Sequence, residues 1–170
     1  MTRKLGAPCA NNHFQVQHVL LAFQSLKEIT KRASVEGRDL VRELNLPRRG
    51  LGQAVYGGDF YFLTQNDDEE PCLTYGNVAV QKLWCCNWKM LTAIKSKDTA
   101  PPEGQAERQQ AMDRVDREGF IEHYYGTRIN TAGKEFIIED VTIWNIMDGN
   151  RKVGRAAFFM HVTPSVEPQG

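Results

Sequence analysis

Apolar residues recur at Val16, Val19, Leu20, Phe23, Leu26 and Ile29, a spacing that predicts an amphipathic helix over residues 14–32. A polar, basic stretch follows and ends in LPRRGLG, where Pro47, Gly50 and Gly52 break the pattern. Beyond it the period changes. DFYFLTQ from Asp59 and CLTYGN from Cys72 read as two short strands of a hairpin, joined by the acidic turn NDDEEP. Asn77 stands where a helix N-cap belongs, ahead of VAVQKLW, because its side-chain oxygen can accept a first-turn amide that has no partner within the helix. The proline pair of SKDTAPPEG marks a loop. AERQQAMDRVDREGF then predicts a helix with Asp113/Arg117 and Arg114/Glu118 on a solvated face and Gly119 as its left-handed stop. Three extended segments close the chain, Phe120 to Asn130, Glu135 to Met147 and Lys152 to Val162, with TAGK and DGNR as the turns between them.

The stretch EFIIEDVTIWNIMDG, from Glu135 to Gly149, resists clean alternation. Strict alternation places Phe136, Ile138, Asp140, Thr142, Trp144 and Ile146 on one face and Ile137, Glu139, Val141, Ile143 and Asn145 on the other, so an acid interrupts both rows.

A length of 170 residues and a hydrophobic content of 41% suit one domain with a core of its own. Lys+Arg and Asp+Glu balance at 21 each, which leaves no net charge to draw the chain to nucleic acid or to a membrane surface. Cys9, Cys72, Cys85 and Cys86 form no C-x-x-C pair, so they read as reduced structural thiols and not as zinc ligands. No apolar run is long enough to span a bilayer, and residues 1–27 lack the apolar core of a signal peptide. The expected location is cytoplasmic; the lack of any acid before Glu28 keeps an organelle stroma, such as that of the chloroplast, as the alternative. The expected organisation is an N-terminal helical extension over 1–50, a domain over 51–163 and a flexible tail over 164–170. The helix stripe needs an apolar surface, either in its own domain or in a homodimer seam. Trp84 and Trp88, with Phe60, Tyr61 and Phe62, read as core.

GFIEHYYGTRINTAGKEFIIEDVTIWNIMDGNRKVGRAAFF, Gly119 to Phe159, resembles the signature of the MEKHLA family of PAS-like domains. The residues that carry the resemblance are Gly126, Arg128, Ile129, Gly133, Phe136, Ile138, Trp144, Asn145, Asp148, Gly154, Ala156, Ala157 and Phe159. LTYGNVAVQKLW, Leu73 to Trp84, is similar to the same family's first strand-to-helix junction, and the likeness runs over residues 55–161. It implies an α+β fold: a PAS-like, five-stranded antiparallel sheet with helices on one face, preceded here by the N-terminal amphipathic helix. Such domains occur as free-standing bacterial and algal proteins and at the end of plant homeodomain leucine-zipper proteins. This sequence carries neither a homeodomain nor a zipper, so the resemblance implies the free-standing module.

The resemblance also places residues. Laid on PAS relatives, the strand after the glycine turn offers Ile138, Asp140 and Thr142 to the cavity beneath the helices, and its neighbour turns Arg128 inward. Arg128 and Asp140 would then be diagonal neighbours on one face, about 7 Å apart. They are either a buried ion pair of the fold or the polar groups that orient a ligand, a carboxylate for instance, in an otherwise apolar pocket. Asn77 joins Arg128, Ile138, Asp140 and Thr142 as a candidate ligand contact. No flavin, haem or metal is expected. Arg128 and Ile138 occupy the positions where a flavin would meet amides, the reactive-cysteine motif of light-oxygen-voltage domains is missing, and His13, His18, His123 and His161 lie outside the cavity helices. The expected function is a sensory or regulatory module that binds a small molecule or a protein partner without catalysis. The alternative is a small cone-fold enzyme of isomerase or dehydratase type, with Asp140 or Glu139 as general base; His123 and Tyr125 alternate opposite to Arg128 and should face away from its cavity.

Overall fold

The computed structural model describes residues 13–165; Cys9, the tail from 166 onward and the side chains of 13–16, Val16 among them, lie outside this range. Strands β1 (Tyr61–Asn66), β2 (Leu73–Gly76), β3 (Phe120–Ile129), β4 (Glu135–Asp148), β5 (Arg151–Phe159) and β6 (His161–Pro164) form one antiparallel sheet in the order β2-β1-β5-β4-β3. The last strand is a continuation of its predecessor. Thr142 faces Phe158 and, three residues further along each strand, Glu139 faces His161, so β6 extends β5 in the same register along β4. The six segments therefore build the five-stranded PAS-like sheet.

Both faces of this sheet are covered, because neighbours on each strand point opposite ways. Phe62, Trp144, Ile146 and Phe158 join one core, shared with α1 (His13–Thr30), α2 (Leu40–Glu43) and α3 (Leu51–Tyr56). Leu63, Ile143 and Phe159 join a second core with α4 (Val78–Leu83) and α6 (Gln105–Glu118). The short α5 (Trp88–Leu91) bridges them, with Trp88 in the first core and Leu91 in the second.

α1 is seated by its predicted stripe: Val19, Ala22, Phe23 and Leu26 are buried, while Leu20, read as part of that stripe, is 41% exposed. Polar contacts lock it in place. Trp144 Nε1 donates to the Ala22 carbonyl at 2.7 Å, and the Met147 amide donates to Ser25 Oγ at 2.9 Å. No helix among the described residues is long and apolar enough to cross a membrane.

The irregular alternation along β4 has a backbone cause. Gly126 pairs with Ile138 and Tyr124 with Val141, so Tyr125 faces both Glu139 and Asp140; then Ile121 pairs with Ile143, so Glu122 and His123 face Thr142 alone. Each strand thus carries one bulge, and the two cancel, leaving the register unchanged on either side. The bulges turn on His123 (φ 58°) and Asp140 (φ 51°), both in the left-handed region that Asp and His tolerate better than most residues. The side-chain phase flips across them. Phe136 and Ile138, then Val141 and Ile143, face the second core, whereas Trp144 and Ile146 face the first.

The solvated face expected of α6 is present, with Asp113, Arg114, Arg117 and Glu118 exposed, but one charge departs from it. Arg108 lies on its buried side with Ala111, Met112 and Val115, and Asp113 is hydrogen-bonded by Gln109 at 2.9 Å, while Arg114 and Glu118 pair at 3.8 Å as their spacing suggests. Gly119 ends the helix with φ 88°.

Candidate functional site

Between the second face of the sheet and the helices lies a cavity of about 50 Å³, lined by apolar Leu63, Met112, Ile138, Val141, Ile143 and Phe159 and by polar Gln65, Ser96, Thr99, Arg108, Arg128 and Arg155. That volume holds about three or four water molecules. Ser96 and Thr99 sit on a 3-10 turn, Ser96–Thr99, that closes the side next to α6.

Three guanidiniums reach this space from three elements, and all are nearly inaccessible: Arg108 on α6 is 8% exposed, Arg128 on β3 5% and Arg155 on β5 8%. Arg155 donates to Asp116 and so has a carboxylate, though its Nε has no partner. Arg108 donates to neutral oxygens instead, Ser96 Oγ at 2.6 Å and Gln65 Oε1 at 3.2 Å. Burial, then the neighbouring charges of Arg128 and Arg155, push its pKa down to about 10, which keeps it protonated at neutral pH.

Arg128 folds back along its own strand. Its Nη1 donates to the Thr127 carbonyl at 2.8 Å and its Nη2 to the Tyr124 hydroxyl at 3.4 Å, with the guanidinium 5.6 Å from the centre of the Tyr124 ring. Gly126 makes room for this: a Cβ there would fall 2.5 Å from Tyr124 Oη and 2.9 Å from Arg128 Nη1. The G-x-R element is therefore a steric unit, a bare backbone position under a folded arginine. A carboxylate, Glu107, is reached only through the Tyr124 hydroxyl, at 3.0 Å. Among the described residues neither Arg108 nor Arg128 forms an ion pair.

Asp140 does not face Arg128. Arg128 pairs across the ladder with Phe136, and the bulge turns Asp140 out to solvent, where its Oδ1 lies 2.6 Å from His123 Nδ1. Thr142, also placed in the cavity by alternation, is buried on the opposite face, where the Arg38 guanidinium donates to its hydroxyl. Glu139 sits beside β6 and accepts from Thr163 Oγ1 at 2.7 Å. Ile138 lines the cavity as expected, and His123 and Tyr125 are exposed. Asn77 is fully enclosed by backbone: it accepts from the Phe62 and Val80 amides and donates to the Val55 and Phe60 carbonyls. Its side-chain amide is spent on joining α3, β1 and α4.

The remaining motif residues support the frame. Phe136 packs edge-on against Trp84, Trp144 anchors α1, Asn145 donates to the Val115 carbonyl of α6 at 3.2 Å, and Gly133 takes φ 80° in the β3–β4 turn. Among the described residues no trio of His, Cys, Asp and Glu is placed to hold a metal ion. Sequence reasoning passed over Gln65, Ser96, Thr99, Arg108 and Arg155. For Arg108 a signal existed: positions 108, 111, 112 and 115 form one helical stripe, so the arginine stands in an apolar row.

The sequence profile of the MEKHLA domain matches residues 17–164. No curated protein sequence matches the chain. Among solved structures, an RNA-binding light-oxygen-voltage receptor superposes with a TM-score of 0.56 at 13% identity, over 66% of this chain and 33% of that one, so the chain spans about a third of the receptor's length. A light-oxygen-voltage domain studied with a flavin analogue gives a TM-score of 0.55 at 12% identity over 71% of this chain and 87% of that one. The PAS domain of a Colwellia psychrerythraea protein gives 0.55 at 11% identity, over 71% and 94% respectively. At such identities the likeness is one of fold.

Proposed function

The chain belongs to the MEKHLA domain family and has a PAS-like fold, and on that premise we propose that it is a sensory or regulatory module that binds a small polar molecule in the cavity between sheet and helices, without turning it over. The supporting observation is the buried guanidinium of Arg128. It borders a cavity of about 50 Å³ with Ile138 beside it and, among the described residues, no carboxylate paired with it. A small polar site within apolar walls is the arrangement that fixes a ligand's orientation. The acids that an isomerase or dehydratase would use as base, Asp140 and Glu139, make their contacts elsewhere, with His123 and Thr163. Balanced charge gives the chain no net attraction to nucleic acid. The cavity volume also favours an occupant far smaller than flavin or haem, so the purified protein should be colourless.

Native mass spectrometry of the purified chain, before and after denaturation, tests the reading. A small molecule released on denaturation, and lost from an Ile138→Trp variant that fills the cavity, supports it. The same spectrum reports stoichiometry. Retention of the molecule by Ile138→Trp would place binding outside the cavity and overturn the proposal.

A further inference from the structure

We infer that the cavity is a receptor for a small oxyanion of about four or five heavy atoms, a monocarboxylate or an inorganic oxyanion, held by Arg108 and Arg128 and completed by Trp84 and Arg155; this rests on the ligand-binding reading above and specifies its chemistry. Hydrogen-bond inventory is the first ground. The polar side chains lining the cavity carry mostly N–H donors: the guanidiniums of Arg108, Arg128 and Arg155 and the indole of Trp84, beside the hydroxyls of Thr64, Ser96 and Thr99. Trp84 Nε1 and Arg155 Nε are buried and have no partner. The amide oxygen of Gln65 is already taken by Ser96 and Arg108, and the Thr99 hydroxyl donates to the Ser96 carbonyl at 2.7 Å. What the space lacks is an acceptor with several lone pairs.

Charge is the second ground. Two of the three guanidiniums, Arg108 and Arg128, are buried without an ion pair among the described residues, and all three residues line the same cavity. Buried charge of one sign is costly unless a counter-charge accompanies it. Neutral ligands or water would satisfy donors and leave the charge standing. An oxyanion does both, and its planar or tetrahedral oxygens suit the fork of a guanidinium.

Size is the third ground. The cavity matches a compact group in volume, which excludes nucleotides and sugars while admitting acetate, nitrate, sulfate or phosphate.

The test is a thermal melt of the full chain at constant ionic strength, with chloride replaced stepwise by the sodium salt of acetate, nitrate, sulfate or phosphate. At least one anion should raise the melting temperature saturably, and the one that acts separates a carboxylate ligand from an inorganic one. Arg108→Gln and Arg128→Gln should each weaken half-saturation by about tenfold or more, the worth of one charge-assisted contact. Arg42→Gln, at a side chain 81% exposed, should leave it unchanged. Each variant's melting point in chloride alone reads folding separately from binding. A rise that is non-saturable, or that survives in both cavity variants, is a general salt effect and overturns the inference. Failure of every anion, combined with a neutral molecule in the native mass spectrum, overturns the oxyanion and leaves the ligand-binding reading standing. Failure of every anion with no bound molecule at all overturns both.

Discussion

His123 Nδ1 and Asp140 Oδ1 meet at 2.6 Å across two bulges on adjacent strands, and both residues have left-handed backbones. The pair is solvent-facing, with side chains 77% and 55% exposed, so its attraction is screened and its value is small. Backbone conformation matters more here than charge. Replacing Asp140 by Gly should be neutral or stabilising, by Ala should cost within about 1 kcal/mol, and by Val about 1 to 3 kcal/mol, in the order of tolerance for positive φ. Urea melts of the three variants check the order. A loss of about 3 to 5 kcal/mol in the Ala variant would instead mark a broken buried ion pair.

Asn77 makes the opposite case. Its amide holds four backbone groups together in the core, so Asn77→Ala should cost about 2 to 4 kcal/mol by stranding donors and acceptors. Asn77→Asp should be no better, since a carboxylate can accept from Phe62 and Val80 but would be pressed against the Val55 and Phe60 carbonyls. Equilibrium denaturation measures both; a near-silent Ala variant would mean that these backbone groups find water.

Two leucines of α1 separate capping from association. Leu26 is fully buried, and its replacement by Ala should cost about 2 to 5 kcal/mol, whereas Leu20→Ala should stay within about 0.5 kcal/mol. Sedimentation of the Leu20 variant adds a second readout. Any fall in its association state relative to the parent would show that the exposed edge of the helix is a dimer seam.

His18 should make the fold acid-sensitive at an early stage. Burial lowers its pKa from the ordinary 6.5 to about 4, with Thr64 Oγ1 at 2.8 Å from its Nε2 and the Tyr75 ring alongside. The unfolded chain then takes up the proton more readily than the native one, so stability present above pH 6.5 is lost as pH falls toward 4 and levels off below it. The loss attributable to this imidazole is up to about 3 kcal/mol. In His18→Gln the slope over that interval should flatten relative to the parent; superimposable pH profiles would exclude His18 as the cause.

Much of this architecture was legible because it rests on local rules. The stripe of α1, the Asn77 cap, the Gly119 stop and the hairpin turns each follow from a few adjacent residues. The site was half legible. Arg128 and Ile138 reach the cavity as the resemblance implied, but alternation cannot register a bulge, and this one turns on His and Asp where a glycine would have announced it. Everything beyond residue 139 on β4 was consequently assigned to the wrong face, Thr142 included. Arg155 and Gln65 stayed hidden for another reason: their neighbours Asp116 and Ser96 lie on elements distant in the chain, and only the packed fold brings them together.

The hydrogen bond from Trp144 to Ala22 spans 122 residues of chain. During synthesis the first helix therefore emerges long before the strand it must rest on. At about 5 to 20 residues per second, the ribosome leaves that apolar stripe without its seat for about 6 to 24 s. For that interval Phe23 and Leu26 are open to chaperones and to other nascent chains, and the helix waits on a strand made long after it.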